Sequence, residues 1–224
     1  MRSNTTRLLA RNVSHLGLGQ VASTALGILQ TAVIGRALEP SQLGILFTVF
    51  AISTFAYVIV EWGQGTYLVR EVARGRIDES ELIGSALVIR LATVVISSVI
   101  AAAIALTLGY GGQVVVLTVL AMIAAVPGTL LGPVACSFRA RNRMDIDASA
   151  NIVGKAATLI ATFIALRLGG GLTEVVLMGG IGGLSMLLFG AIAARRLDIK
   201  VNAPAMKSVR ELVRHGAPIA TAGG

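Results

Sequence analysis

Runs of mostly apolar residues, each about as long as a helix needs to cross roughly 30 Å of hydrocarbon, recur along this chain in pairs. That recurrence constrains the fold more than any short motif. The first pair runs over 13–38, turns through Gly35 to Gly44, and returns to Val60. Four more spans can be drawn the same way, giving 13–38, 43–60, 82–108, 114–138, 146–167 and 172–194, with a seventh beginning at Gly216. The odd-numbered connections, Glu39 to Gln42, Gly109 to Gln113 and Leu168 to Gly171, are too short for anything but antiparallel helical hairpins. The expected fold is all-α: a polytopic membrane bundle of six transmembrane helices plus the start of a seventh.

The first arm is not uniformly apolar. Asn12, His15, Gly19, Ser23, Gly27 and Gln30 are spaced by three or four residues and share one side of a helix. Gly19, Ser23 and Gly27 form a small-xxx-small series suited to close helix packing, while His15 and Gln30 suit the wall of a water-filled cavity. One helix can serve both uses along its length.

Charge settles the expected orientation. Of 19 Lys and Arg, fifteen fall before the first span or in the even-numbered connections, where Arg2, Arg7, Arg11, Arg70, Arg74, Arg76, Arg139, Arg141 and Arg143 lie with the six cations from Arg195 to Arg214. Only Arg36 and Arg167 lie on the other side, so the positive-inside rule puts the N-terminus in the cytoplasm. A formal charge of +8 on a soluble chain would suggest nucleic acid. Here charged residues make up only 13% of the chain and gather at span edges, so anionic membrane lipids are the expected partner and nucleic acid is not. With one cysteine, Cys136, no intrachain disulfide can form. Polar residues interrupt the first apolar run, which reads as an uncleaved span of the cell membrane and not as a signal peptide.

The expected divisions are a cytoplasmic tail (1–11), a six-helix lobe (12–194), a cytoplasmic linker with a short interfacial helix (195–215, the helix from Ser208 to His215), and a truncated seventh span (216–224). Nine residues are too few for that span, so a fragment or a truncated product is expected. Pro127 and Pro133, with Gly128 and Gly132 beside them, predict a bend in the fourth span that can also act as a hinge.

No enzymatic constellation is visible: His15 and His215 have no metal-ligand spacing, and no phosphate-binding glycine loop follows a strand. Neither cofactor nor metal is expected. Ionisable residues inside the apolar runs are the informative ones. Arg90 shares a helix face with Ala86, Thr93 and Ser97, and Lys155 shares one with Asn151, Thr158 and Thr162. Charge at such depth costs a few kcal/mol unless solvated or paired. Snorkelling towards the headgroups explains both; so does an electropositive cavity taking an anion such as pyrophosphate. The candidate cavity residues are Arg90, Lys155, His15, Gln30 and Asn151. Glu61 closes the second span before Trp62-Gly63-Gln64-Gly65, where it is either solvated, paired with Arg90, or a site for a coupling cation. Arg70 and Pro127 join it as candidates for coupling or gating, although Arg70, Glu71 and Arg74 also read as a solvated helical face.

Four segments in register resemble a known family. Gly35-Arg36-Ala37-Leu38-Glu39-Pro40-Ser41-Gln42-Leu43-Gly44 is similar to the first loop of the polysaccharide (O-antigen) flippases, and Glu61 to Gly65 with Val69 to Ala73 resembles the close of their second helix. Phe138 to Met144 resembles their fourth loop, and His215-Gly216-Ala217-Pro218 the entry to their seventh helix. The resemblance to this branch of the multidrug/oligosaccharidyl-lipid/polysaccharide (MOP) exporter superfamily covers the whole chain as an N-terminal half. It implies a membrane transporter moving a lipid-linked oligosaccharide on a polyprenyl pyrophosphate by alternating access, with glycan polymerases or glycosyltransferases as partners. A MATE-type drug or cation antiporter and a non-transporting scaffold of a glycan-assembly complex are the competing expectations.

Overall fold

A computed structural model describes the backbone of residues 2–61, 64–75 and 78–221, and the side chains of 17–61, 64–75 and 78–214. Within these residues the chain forms eight α-helices and no strand: α1 (Arg2–Ala37), α2 (Pro40–Glu61), α3 (Gln64–Arg74), α4 (Glu79–Thr107), α5 (Gly112–Ala140), α6 (Met144–Arg167), α7 (Leu172–Arg196) and α8 (Met206–Thr221). Six segments are long and apolar enough to cross a membrane: Gly17–Ala37, Pro40–Arg74, Glu79–Thr107, Gly112–Ala140, Met144–Arg167 and Leu172–Arg196. Phe55, Val95, Val99 and Leu188 are turned outward, as lipid-facing positions would be.

Sharp turns return the chain at both ends of the bundle. After α4 and α6 a glycine takes a left-handed conformation (Gly109, φ 77°; Gly169, φ 86°), and the amides of Tyr110 and Gly170 reach back to the Ala105 and Ala165 carbonyls. This satisfies carbonyls that a helix end leaves open. At the arginine-rich end Asn142 and Asp198 take the same conformation after α5 and α7.

Bare backbone draws the helices together around α7. A Cβ on Gly182 would fall 2.6 Å from the Gly154 carbonyl oxygen of α6, and one on Gly183 would fall 2.8 Å from the Gly128 nitrogen of α5. The two glycine pairs of α7 therefore divide between two neighbours, Gly182 facing α6 and Gly180 and Gly183 facing α5. Helix α1 packs chiefly on α6, where Gly19 abuts Ala148, so it stands off from α7 and leaves a gap.

Two expected elements differ from the structure. The second span continues past Glu61 into α3, an amphipathic helix that buries Gln64, Tyr67, Leu68 and Glu71 where a connection was expected. Its buried side packs on α5 and α8, which a solvated loop has no means to do. The expected interfacial helix and the start of the seventh span are one helix, α8, which carries Leu212 into a cluster with Tyr67, Leu68 and Leu82. The linker before it is seated on α4: the Asn202 amide donates to the Ser80 carbonyl, and Gly84 has no side chain to push Asn202 away.

Candidate functional site

Helix α1 presents its polar strip to the gap beside α7. Gln20, Ser23, Gly27 and Gln30 of α1 face Asn151, Lys155 and Thr158 of α6 across a cleft of about 1000 Å³, floored by Gly179, Gly182 and Gly183 of α7. The two uses of the strip follow one another along the helix: Gly19 packs against α6, while the residues from Gln20 onward line open space. Lys155 is exposed within the cleft. Asn151 is tethered through its Nδ2 to the Asp147 carbonyl at 2.9 Å, leaving its amide oxygen for other contacts. Gln30 and Gly179 also line a second hollow of about 410 Å³ that extends the cleft towards Phe50, Thr54 and Tyr57 of α2.

Arg90 is not in this cleft, which corrects the expectation of one cavity holding two cations. Its side chain is 3% exposed and sits between α2, α4 and α5. Nη1 donates to Glu61 Oε1 at 2.8 Å and to the Thr129 carbonyl at 3.0 Å. The seat is written into α5. Pro133 has no N–H to offer the carbonyl four residues earlier, which is that of Thr129, and the guanidinium supplies the missing donor. Gly132 makes room, since a Cβ there would lie 2.4 Å from Nη1. Arg90 Nε is buried with no partner among the described residues.

Glu61 also differs from its expected place at a membrane edge. Arg90 lies eleven residues beyond the start of α4, roughly 16 Å along the helix, and Glu61 is at its level. Glu61, the last residue of α2, thus stands inside the span Pro40–Arg74, with its side chain 53% exposed. Arg70 lies further along α3, towards the arginine-rich end, and pairs with Glu71 at 3.6 Å. Pro127 is half-buried in α5, one residue before the Gly128 contact with α7, and α5 runs unbroken through both prolines. The His15 side chain lies outside the described residues, as do Trp62, Gly63, Arg76 and the His215 side chain.

The cleft therefore gathers Gln30, Asn151 and Lys155, and the end of α2 brings Glu61 to Arg90. Thr129, Gly132 and Pro133 were overlooked as an arginine seat. The signal was a threonine four residues before a proline with a glycine between them, which frees a carbonyl and clears its approach.

No curated protein matches the chain. A solved MOP superfamily transporter from Pyrococcus furiosus, described as having a binding pocket whose reverse polarity suggests a different function, shares the fold with a TM-score of 0.68 at 15% identity. The match covers 96% of this chain and 52% of that one, so the chain spans about half the length of that transporter. A family model described as polysaccharide biosynthesis protein matches residues 9–222, and with nearly its whole length inside that match the chain belongs to this family of multi-pass membrane proteins.

Proposed function

We propose that the chain forms a six-helix lobe of a membrane transporter for lipid-linked oligosaccharides, and that the cleft between α1, α6 and α7 takes the polar headgroup. The observation that carries this reading is Lys155 exposed in a 1000 Å³ cleft whose other polar groups are uncharged amides and hydroxyls. Glycan hydroxyls need donors and acceptors of the kind that Gln20, Ser23, Gln30, Asn151 and Thr158 offer, and a pyrophosphate needs a cation. A sugar headgroup cannot cross hydrocarbon unaided, whereas its polyprenyl tail can stay in lipid beside the apolar outer face.

The basic connections support an orientation with the arginine-rich end in the cytoplasm of a cell membrane. Alternating access then carries the headgroup from the inner to the outer leaflet, with the lobe rocking as a unit. Glu61 closes α2 inside the second span, where a coupling cation can bind in exchange for Arg90, with Arg70 further along the same hollow and Pro127 as a hinge in α5.

The test is rescue of surface glycan in cells lacking their own polysaccharide flippase, using the protein expressed from its full gene. Lys155→Ala is expected to lower surface glycan by about tenfold, the loss of one cation–phosphate contact, at unchanged abundance in the membrane. Undiminished rescue would reject the cleft as the headgroup site. Raised tolerance to cationic dyes in place of glycan export would favour the antiporter.

A further inference from the structure

A third hollow lies apart from the cleft and its extension. It has a volume of about 760 Å³ and runs along α3 from Glu61 and the first turn of that helix, Gly65 and Thr66, to Arg70 and Arg74, with Arg139 of α5 opposite. Ten residues of α3 give it a length of roughly 15 Å, ending at the arginine-rich end.

Its charges are arranged to leave cations facing the opening. Glu71 is buried and does not line the hollow; it holds Arg74 Nη1 at 3.0 Å and Arg70 Nε at 3.6 Å from behind. Asp147, also buried and outside the lining, holds Arg139 Nε at 2.7 Å. Each carboxylate fixes one edge of a guanidinium and each arginine side chain stays about half exposed, at 51%, 45% and 47% for Arg70, Arg74 and Arg139. The one acid in the lining, Glu61, is taken by Arg90 at 2.8 Å. Held guanidiniums with free donor edges suit the forked recognition of phosphate oxygens.

We infer that the Arg70–Arg74–Arg139 hollow binds a phosphate group carried by a lipid. The ligand's chemistry leans on the reading of this chain as a handler of lipid-linked phosphates, but the hollow is separate from the Lys155 cleft and is read by its own assay. Two sources share the chemistry: the pyrophosphate of a lipid-linked glycan arriving from the inner leaflet, and the headgroup of an anionic membrane lipid.

Inorganic pyrophosphate is the probe, titrated calorimetrically into the full-length protein in phosphatidylcholine nanodiscs. Arg70→Gln with Arg74→Gln is expected to weaken binding by about tenfold or more, as loss of two charge-assisted contacts should. Arg195→Gln with Arg196→Gln removes the same charge at the same end and is expected to leave binding unchanged. Thr66→Glu guards against misfolding, because it puts a carboxylate into the hollow without breaking an ion pair, and it too should remove the step that Arg70→Gln with Arg74→Gln weakens. Equal weakening by both arginine pairs, or survival of that step in Thr66→Glu, would overturn the assignment. Phosphatidylglycerol added to the nanodiscs identifies the source. If it raises the apparent Kd of the unaltered protein, the membrane headgroup is the occupant; if it does not, the lipid-linked pyrophosphate is. A step of the titration that Lys155→Ala removes belongs to the cleft and one that Arg70→Gln with Arg74→Gln removes belongs to the hollow, so failure here and failure of the cleft reading are separable.

Discussion

Arg90 and Lys155 lie at nearly the same depth, about 16 Å into α4 and α6 from the arginine-rich end, yet they occupy opposite surroundings. Arg90 is closed in by α2 and α5 and satisfied by a carboxylate and a carbonyl, whereas Lys155 opens on a cleft and has no ion pair among the described residues. Depth on a helix is one coordinate; which neighbour the face meets is another. The buried cation ties three helices together, and the other stays exposed in a cleft.

Four substitutions probe that contrast. The largest expected effect is that of Arg90→Met, which leaves the Thr129 carbonyl without its donor and Glu61 without its partner. Because Glu61 is half exposed, the cost is expected at about 2–3 kcal/mol, below that of breaking a fully buried pair. A lower unfolding midpoint in detergent would register it, and an unchanged midpoint would break the contrast. Next is Gly132→Ala, whose methyl group would press on Nη1. Arg90 has little room to withdraw, so a loss of about 1–2 kcal/mol is expected, and that loss should vanish in the Arg90→Met background.

Pro133→Ala sharpens the account of the seat. It restores an N–H to the Thr129 carbonyl, so Arg90→Met should cost about 0.5–1 kcal/mol less in that background than alone. Additive effects would mean that the proline does not create the need for the guanidinium. The smallest effect is that of Lys155→Ala on stability, expected within about 0.5 kcal/mol because nothing described leans on the ammonium. A large loss of stability would show Lys155 to be a packing residue and would move the search for the headgroup site to the α3 hollow.

The pairing of spans, the three tight connections and the gathering of cations at one end were all legible in the chain, because hydrophobic length and turn chemistry are local. So was the double use of the α1 strip, since Gly19 and Gln30 share a helix face whatever that face meets. Glu61 was misplaced because α3 carries several polar residues and reads as a connection; only its contacts with α5 and α8 bring it into the bundle. The arginines of α3 read as a solvated face for the same reason, since the sequence does not reveal that Glu71 and Asp147 lie behind them.

What the sequence determined alone is the six long apolar spans, their pairing through tight connections and the gathering of cations at one end, because each follows from residues within a few turns of one another. Only the tertiary structure decided that Arg90 closes on Thr129 while Lys155 faces a cleft. Those contacts join residues 39 apart in one case and three helices in the other, and they depend on glycines and a proline that remove atoms from one helix to admit another.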